Sequence, residues 1–241
     1  FVRMSDKKYQ KQTIQEIKSG TKKDKILVIQ PFGRSVNQVG PAVYDATSRS
    51  IESSNVVSIM EKLRTEYGIL VMSQVPIDIS ENEDHPIAVP KEPNLRLWAA
   101  MIHNADHFLG CDSVGQHIVK ALNKTATVVI GSTYPINISY PDDKDFDIID
   151  VGKDKRVYSP IRLTMDDERD RANNDCIVMD EKEIQLVVDS VKKRMGKGKK
   201  FEGTVEKHVH TNKCNHDDSS NYTKASPVKI PEGLKLMEEQ G

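Results

Sequence analysis

Residues 112–117 run Asp112-Ser113-Val114-Gly115-Gln116-His117, directly after the apolar stretch around Phe108 and Leu109. The spacing predicts a strand that delivers Asp112 and Ser113 to its end, a turn relieved by Gly115, and a helix with His117 in its first turn. A helix N-terminus presents unpaired N–H groups and about half a unit of positive charge, which favours a phosphate or diphosphate. The same residue types also allow a plainer role, in which Asp112 and Ser113 only cap the helix and His117 is a partly buried surface residue. Spacing alone leaves both open.

Two further segments carry groups suited to the same anion. Arg34 and Arg49 lie in a Gly-, Ser-, Pro- and Asn-rich stretch from Gln30 to Ser50, and a guanidinium can grip a phosphate with two hydrogen bonds. Gly131 and Thr133 follow another apolar run, Thr125 to Ile130. Other candidates have plainer readings. His208, His210, Cys214 and His216 are zinc-type ligands, but their spacing matches no common finger and a His-rich disordered tail explains them. The acids Asp142, Asp143, Asp145, Asp147 and Asp150 alternate with Phe146, Ile148 and Ile149, as in a solvated loop entering an edge strand. Cys111 is expected to be inert core unless the helix end lowers its pKa. Trp98 stands at helical spacing among Leu95, Met101 and Ile102, which marks packing and not a sugar platform. The basic run Lys192 to Lys200 suits a helix C-terminus, and with only Phe201 near it no base stacking is indicated.

The elements that must position these groups follow from hydrophobic spacing. Residues 1–20 form a polar helix. Ile26 to Ile29 and Ile69 to Met72 are short continuous apolar runs, the mark of strands covered on both faces. Val56, Val57, Ile59, Met60 and Leu63 keep helical spacing after Ser53 or Ser54, and the prolines at 76, 86, 90 and 93 define a loop. A helix follows around Leu95 to Ile102, a strand at His107–Gly110, a helix over Gly115–Asn123 and a strand at Thr125–Ile130. Glu181 to Met195 shows one apolar face and is expected to pack back onto the core. Strand and helix thus alternate, which predicts an α/β, Rossmann-like three-layer domain with a mostly parallel sheet. Its ligands belong outside the strands' carboxyl ends, where the three candidate segments fall. The expected organisation is a helical leader or remnant of a preceding region over 1–25, a Rossmann-like nucleotide-sugar-binding domain over 26–195 and a polar, disordered, flexible tail over 196–241.

Composition narrows the classes of function. With 35 basic and 36 acidic residues in 241, no global charge calls for a nucleic-acid partner. No apolar stretch approaches the roughly 18–20 residues of a membrane span. Phe1 to Gln10 lacks the apolar core of a secretory signal, so a cytoplasmic setting is expected. Three widely separated cysteines do not form a disulfide framework. A chain that opens on Phe1 is expected to be a fragment or a processed product.

The Asn104–Pro141 stretch resembles the donor-binding, C-terminal half of glycosyltransferase family 9, the lipopolysaccharide heptosyltransferases. Asp112, Ser113, His117, Ala121, Leu122 and Gly131 match that family's Asp-Ser/Thr-Gly-x-x-His loop, Ala-rich helix and strand ending in Gly. Thr133, Pro135 and Pro141 resemble its Gly-x-Thr-x-Pro turn. Ser48, Arg49, Ser50 and Ile51 resemble the segment before the first helix of that half, and Asn174 to Ile177 with the helix from Asp180 resemble its closing Cys segment. The glycine is displaced to Gly115, and Ser48 replaces a Lys, whose charge Arg49 or Arg34 can supply.

The resemblance implies one half of a GT-B fold that holds a nucleotide-diphosphate sugar and transfers the sugar to an acceptor hydroxyl with inversion, needing no metal or other cofactor. The implied donor-binding residues are Arg34, Arg49, Asp112, Ser113, Gly115, Gln116, His117, Gly131 and Thr133. The family's base lies in the other half, so no catalytic base is named. The implied partners are the donor and a glycan or other hydroxyl acceptor, without nucleic acid or a membrane span. Two alternatives stand beside this reading: a non-catalytic nucleotide or nucleotide-sugar binding module that lacks the acceptor half, and a structural α/β domain whose basic and His-rich tail recruits a partner or metal.

Overall fold

The computed structural model describes residues 4–39, 42–45, 47–90, 95–156, 176–203 and 222–224. Strand β1 (Ile26–Gln30) is buried at every position. It pairs in parallel with β4 (Gly68–Val71) on one side and with β6 (His107–Cys111) on the other. Outward from β4 lies β5 (Ile87–Pro90), and outward from β6 lie β7 (Ala126–Ile130) and β8 (Phe146–Asp150), all parallel. A short strand, β9 (Tyr222–Lys224), closes the β5 edge antiparallel, giving the order β8-β7-β6-β1-β4-β5-β9. Taken in chain order, the parallel strands wind outward from β1 through β4 to β5, then return to the other side of β1 at β6. That reversal opens a crevice at the carboxyl ends of β1 and β6.

Two-sided burial of β1 sorts the helices into two layers. Leu27 and Ile29 join one core with Val56, Ile59 and Leu63 of α2 (Ser53–Leu63) and Ile184, Val187 and Val191 of α6 (Glu181–Met195). Ile26 and Val28 face the other, with Ile14 and Ile17 of α1 (Met4–Thr21), Trp98 and Met101 of α3 (Leu95–Asn104) and Val119 of α4 (Val114–Ala121). The architecture is therefore the α/β, Rossmann-like three-layer domain expected from the alternation. The N-terminal helix is part of this core. A capping box between Asp180 and Glu183 starts α6, the helix expected to return to the sheet. It is tied there by Ser190, whose hydroxyl meets Thr127 Oγ1 at 2.7 Å and donates to Asp147. Arg194 pairs with the same carboxylate. His107 sits between Thr125 and Thr127 at 2.7 and 3.0 Å, and burial pushes its pKa down to about 3, so it packs as a neutral ring.

Two expected loops contain strands. Within 30–50, β2 (Val36–Val39) and β3 (Ala42–Asp45) form an antiparallel hairpin. Its side chains are mostly exposed, as with Val39 and Tyr44, so no hydrophobic alternation marks it. Within 73–94, β5 lies next to the sheet edge, where Pro90 at the strand's end disturbs the ladder little. The acids of 142–150 do enter an edge strand, β8, with Asp143 paired to Lys120. In the segment expected as a tail, residues 199–201 lie antiparallel to 22–24, through Asp24 N–H to Lys199 O and Phe201 N–H to Lys22 O, each 3.1 Å. The expected zinc-type cluster of His208, His210, Cys214 and His216 lies outside the described residues. Among the described residues no three His, Cys, Asp or Glu side chains gather as metal ligands, and no helix is long and apolar enough to cross a membrane.

Gly152 marks a backbone contact that admits no side chain, because a Cβ there would overlap the carbonyl of Gly131. At Gly20, in the last turn of α1, a Cβ meets nothing within 4 Å. Gly152→Ala should lower stability by about 1–3 kcal/mol through overpacking. Gly20→Ala should be neutral or stabilising by up to about 1 kcal/mol. Urea midpoints of the two variants, measured beside the parent chain, check both.

Candidate functional site

A cavity of about 350 Å³ opens at the carboxyl ends of β1, β4 and β6, in the crevice made by the reversal of strand order. Helix α4 points its N-terminus at it. The N-cap Ser113 is extended (φ -152°, ψ -178°), and its side chain makes no capping hydrogen bond. Neither does Asp112 serve as a cap. Its buried carboxylate accepts from Thr133 Oγ1 at 2.9 Å and Gln116 Nε2 at 3.1 Å, with Arg49 Nη1 at 3.9 Å. Capping by these two side chains is thus not what the geometry shows, and the first N–H groups of α4 take no side-chain partner from them. Burial raises the Asp112 pKa, with Thr133 and Arg49 working against the rise.

Asp45, at the end of β3, organises the other wall. Fully buried, it accepts from the Thr47 N–H (2.8 Å), Thr47 Oγ1 (2.6 Å), the Ser50 N–H (2.9 Å) and the Ser50 hydroxyl. Burial pushes its pKa up, but these four hydrogen bonds outweigh it, so the carboxyl titrates below the ordinary value. The loop held this way carries Arg49, whose Nε donates to Thr47 Oγ1 at 3.1 Å. Thr47 O also accepts from Ser132, and Ser50 Oγ accepts from the Gly33 N–H, which locks the loop to the segments after β7 and β1. Arg34 lies exposed on the rim, with no ion-pair partner among the described residues.

The inner wall is largely apolar. Phe32, Met72, Leu95 and Trp98 line it together with Gln30. Gln30 is 4% exposed and Trp98 8%, and neither Gln30 Oε1 nor Trp98 Nε1 has a hydrogen-bond partner. An unpaired buried acceptor or donor costs about 1–3 kcal/mol unless something supplies its partner. Gly115 is what lets α4 approach this corner, since a Cβ there would overlap Gln30 Oε1 and the Phe108 ring.

Of the expected donor-binding residues, Arg34, Arg49, Asp112 and Ser113 line the cavity. Gly115, Gln116 and Thr133 stand behind it. Gln116 donates to Ile138 O at the end of the short helix α5 (Pro135–Ile138) and accepts from Ser139. His117 is brought elsewhere: it is exposed, with Nδ1 2.9 Å from the Tyr140 hydroxyl. Gly131 packs against Ile177 and Gly152, away from the lining. Sequence reasoning missed Gln30, Asp45 and Thr47. Gln30 had a visible signal, a polar residue ending an apolar strand, whereas Asp45 sits in a segment with no pattern. Trp98 does pack in the core as expected, yet it also lines the cavity. Burial raises the Cys111 pKa, so its thiol is inert core.

No protein-family model matches the chain, and a search of curated proteins finds none similar to it. Among solved structures it is similar to E. coli ADP-heptose LPS heptosyltransferase II, at 12% identity and a TM-score of 0.48, over 80% of this chain and 54% of that one. It is also similar to E. coli heptosyltransferase WaaC with ADP, at 10% identity and a TM-score of 0.43, over 71% of this chain and 45% of that one. WaaC with ADP-2-deoxy-2-fluoro heptose aligns at 14% identity and a TM-score of 0.40, over 56% and 40%. The chain therefore spans about half the length of these structures.

Asp45→Asn should cost about 1.5–3 kcal/mol at pH 7, since an amide cannot accept all four hydrogen bonds. A folded pKa below the ordinary 3.8 means that the ionised carboxylate's contribution is complete above that value and is lost as pH falls through the folded one. The gap between parent and variant should thus be constant from neutral pH down to the ordinary carboxylate range and shrink below it. Denaturant unfolding at several pH values measures this.

Proposed function

We propose that the chain binds a nucleotide-diphosphate sugar and forms the donor-binding portion of an inverting glycosyltransferase. The observation that carries the binding half of this reading is the crevice itself: the uncapped N-terminus of α4, Arg49 and Arg34 face one cavity whose inner wall holds unpaired Gln30 and Trp98 atoms. The diphosphate is placed against the helix N–H groups and the two guanidinium groups, and the rest of the donor against the apolar wall. Asp112 does not meet the phosphates as a bare charge, because Thr133, Gln116 and Arg49 surround it. The transfer half rests on the likeness of residues 112–141 to family 9.

In that reaction an acceptor hydroxyl attacks the anomeric carbon as the bond to the diphosphate breaks. Positive charge grows on the sugar and negative charge on the departing phosphate oxygens. A preorganised helix terminus and guanidinium groups stabilise the leaving group at no cost of reorganisation, and the proposal invokes no metal. The base that takes the hydroxyl proton is not assigned to this chain.

Calorimetric titration of the chain with a panel of nucleoside diphosphates and nucleotide sugars tests the reading. Micromolar binding that weakens about 10-fold or more in Arg49→Ala, the loss of a charge-assisted contact worth about 1.5–3 kcal/mol, is the expected result. A folded chain that binds none of the panel, or binds equally well without Arg49, overturns it.

A further inference from the structure

At the opposite end of the sheet, a second cavity of about 580 Å³ lies beneath the amino ends of β1 and β4. Five lysines line it: Lys22, Lys23, Lys197, Lys199 and Lys200. The backbone fixes their gathering. Lys23 and Lys200 form an antiparallel bridge, Lys199 N–H donates to Asp24 Oδ1 at 2.6 Å, and Tyr67 Oη donates to Gly196 O at 2.8 Å. Gly198 lies so close to the Glu66 carbonyl that a Cβ would overlap it. The lysines at 197, 199 and 200 are thus strapped across the residues preceding β1 and β4.

These charges are poorly compensated. Lys23 donates to the Thr65 carbonyl, and the other four ammonium groups have no ion-pair partner among the described residues. Of the two carboxylates in the lining, Glu66 is already paired with Lys192, which leaves Asp84. His85 Nδ1, in the same lining, is buried without a partner. Like charges held around a concave surface raise the local potential, and an anion that enters lowers it. The lining carries no Phe, Tyr or Trp on which a nucleic-acid base could stack. A concave, half-open hollow also suits a small molecule better than a flat bilayer or a duplex.

We propose that this lysine-ringed cavity binds a short polyphosphate chain, either inorganic or as part of a small phosphorylated metabolite, at a site separate from the donor crevice. The test uses the full chain carrying Arg49→Ala, so that anion binding at the donor crevice is weakened, titrated with tripolyphosphate at about 0.15 M salt, where surface charges are largely screened; the lysine substitutions then assign the binding that remains to one site or the other. Micromolar binding is expected, weakened at least 10-fold by adding Lys199→Ala and Lys200→Ala, with circular dichroism confirming that the exposed substitutions leave the fold intact. No binding by the Arg49→Ala chain, or binding indifferent to the lysine substitutions, overturns the proposal whatever the outcome at the donor crevice. An oligo-dT that binds tighter than tripolyphosphate and is lost on the same substitutions also overturns it, in favour of a nucleic-acid surface. If the small anion prevails, comparing tripolyphosphate with adenosine tetraphosphate separates an inorganic ligand from a phosphorylated metabolite.

Discussion

Strand β1 is apolar from Ile26 to Ile29, and such a strand leaves water only if helices cover both of its faces. Right-handed crossovers then force the chain to wind away from β1 in one direction and return on the other side. Helices α2 and α4 depart to opposite layers, and between them the carboxyl ends of β1 and β6 have no cover. The crevice is a geometric result of burying β1. What the sequence adds is its chemistry, with Gln30 at the end of β1 and Asp112 and Ser113 just past the end of β6.

Within that opening, Asp45 holds together segments that have no periodic structure of their own. A carboxylate removed from water is tolerable only when its oxygens are fully hydrogen-bonded, and here both are. Because Thr47 and Ser50 spend their hydroxyl protons on Asp45, their oxygens remain free to accept from Arg49 and Gly33. One buried charge thereby sets the direction of an arginine on the cavity wall. Arg49 in turn lies within reach of Asp112, so the two arms of the crevice are electrostatically joined.

The two ends of the sheet carry different kinds of positive charge. At the carboxyl end it comes from a helix terminus and from Arg49, whose guanidinium is held by a hydrogen bond to Thr47, which suits a ligand bound in one orientation. At the amino end it comes from ammonium groups on long, exposed side chains, ordered only through their backbone, which suits a ligand recognised by its charge density. The formal charge of -1 conceals this division, because acids elsewhere on the surface balance both.

The alternation of buried strands and amphipathic helices was legible from residue types alone, since burial on two faces leaves continuous apolar runs and burial on one leaves helical spacing. The strand-to-helix turn at Asp112–Gly115 was legible for the same reason. The hairpin β2–β3 was not, because its exposed strands carry no pattern, and neither was β5, whose terminal Pro90 is tolerable only near a sheet edge. Which of the candidate groups meet was decided by tertiary structure. Arg34, Arg49, Asp112 and Ser113 converge because separate strand ends come together at the reversal point, while His117, in the same motif, turns to Tyr140. Sequence determines which residues must leave water and with what period. Long-range packing determines which of the polar residues left over share a cavity, because that depends on strand order, which no local pattern encodes.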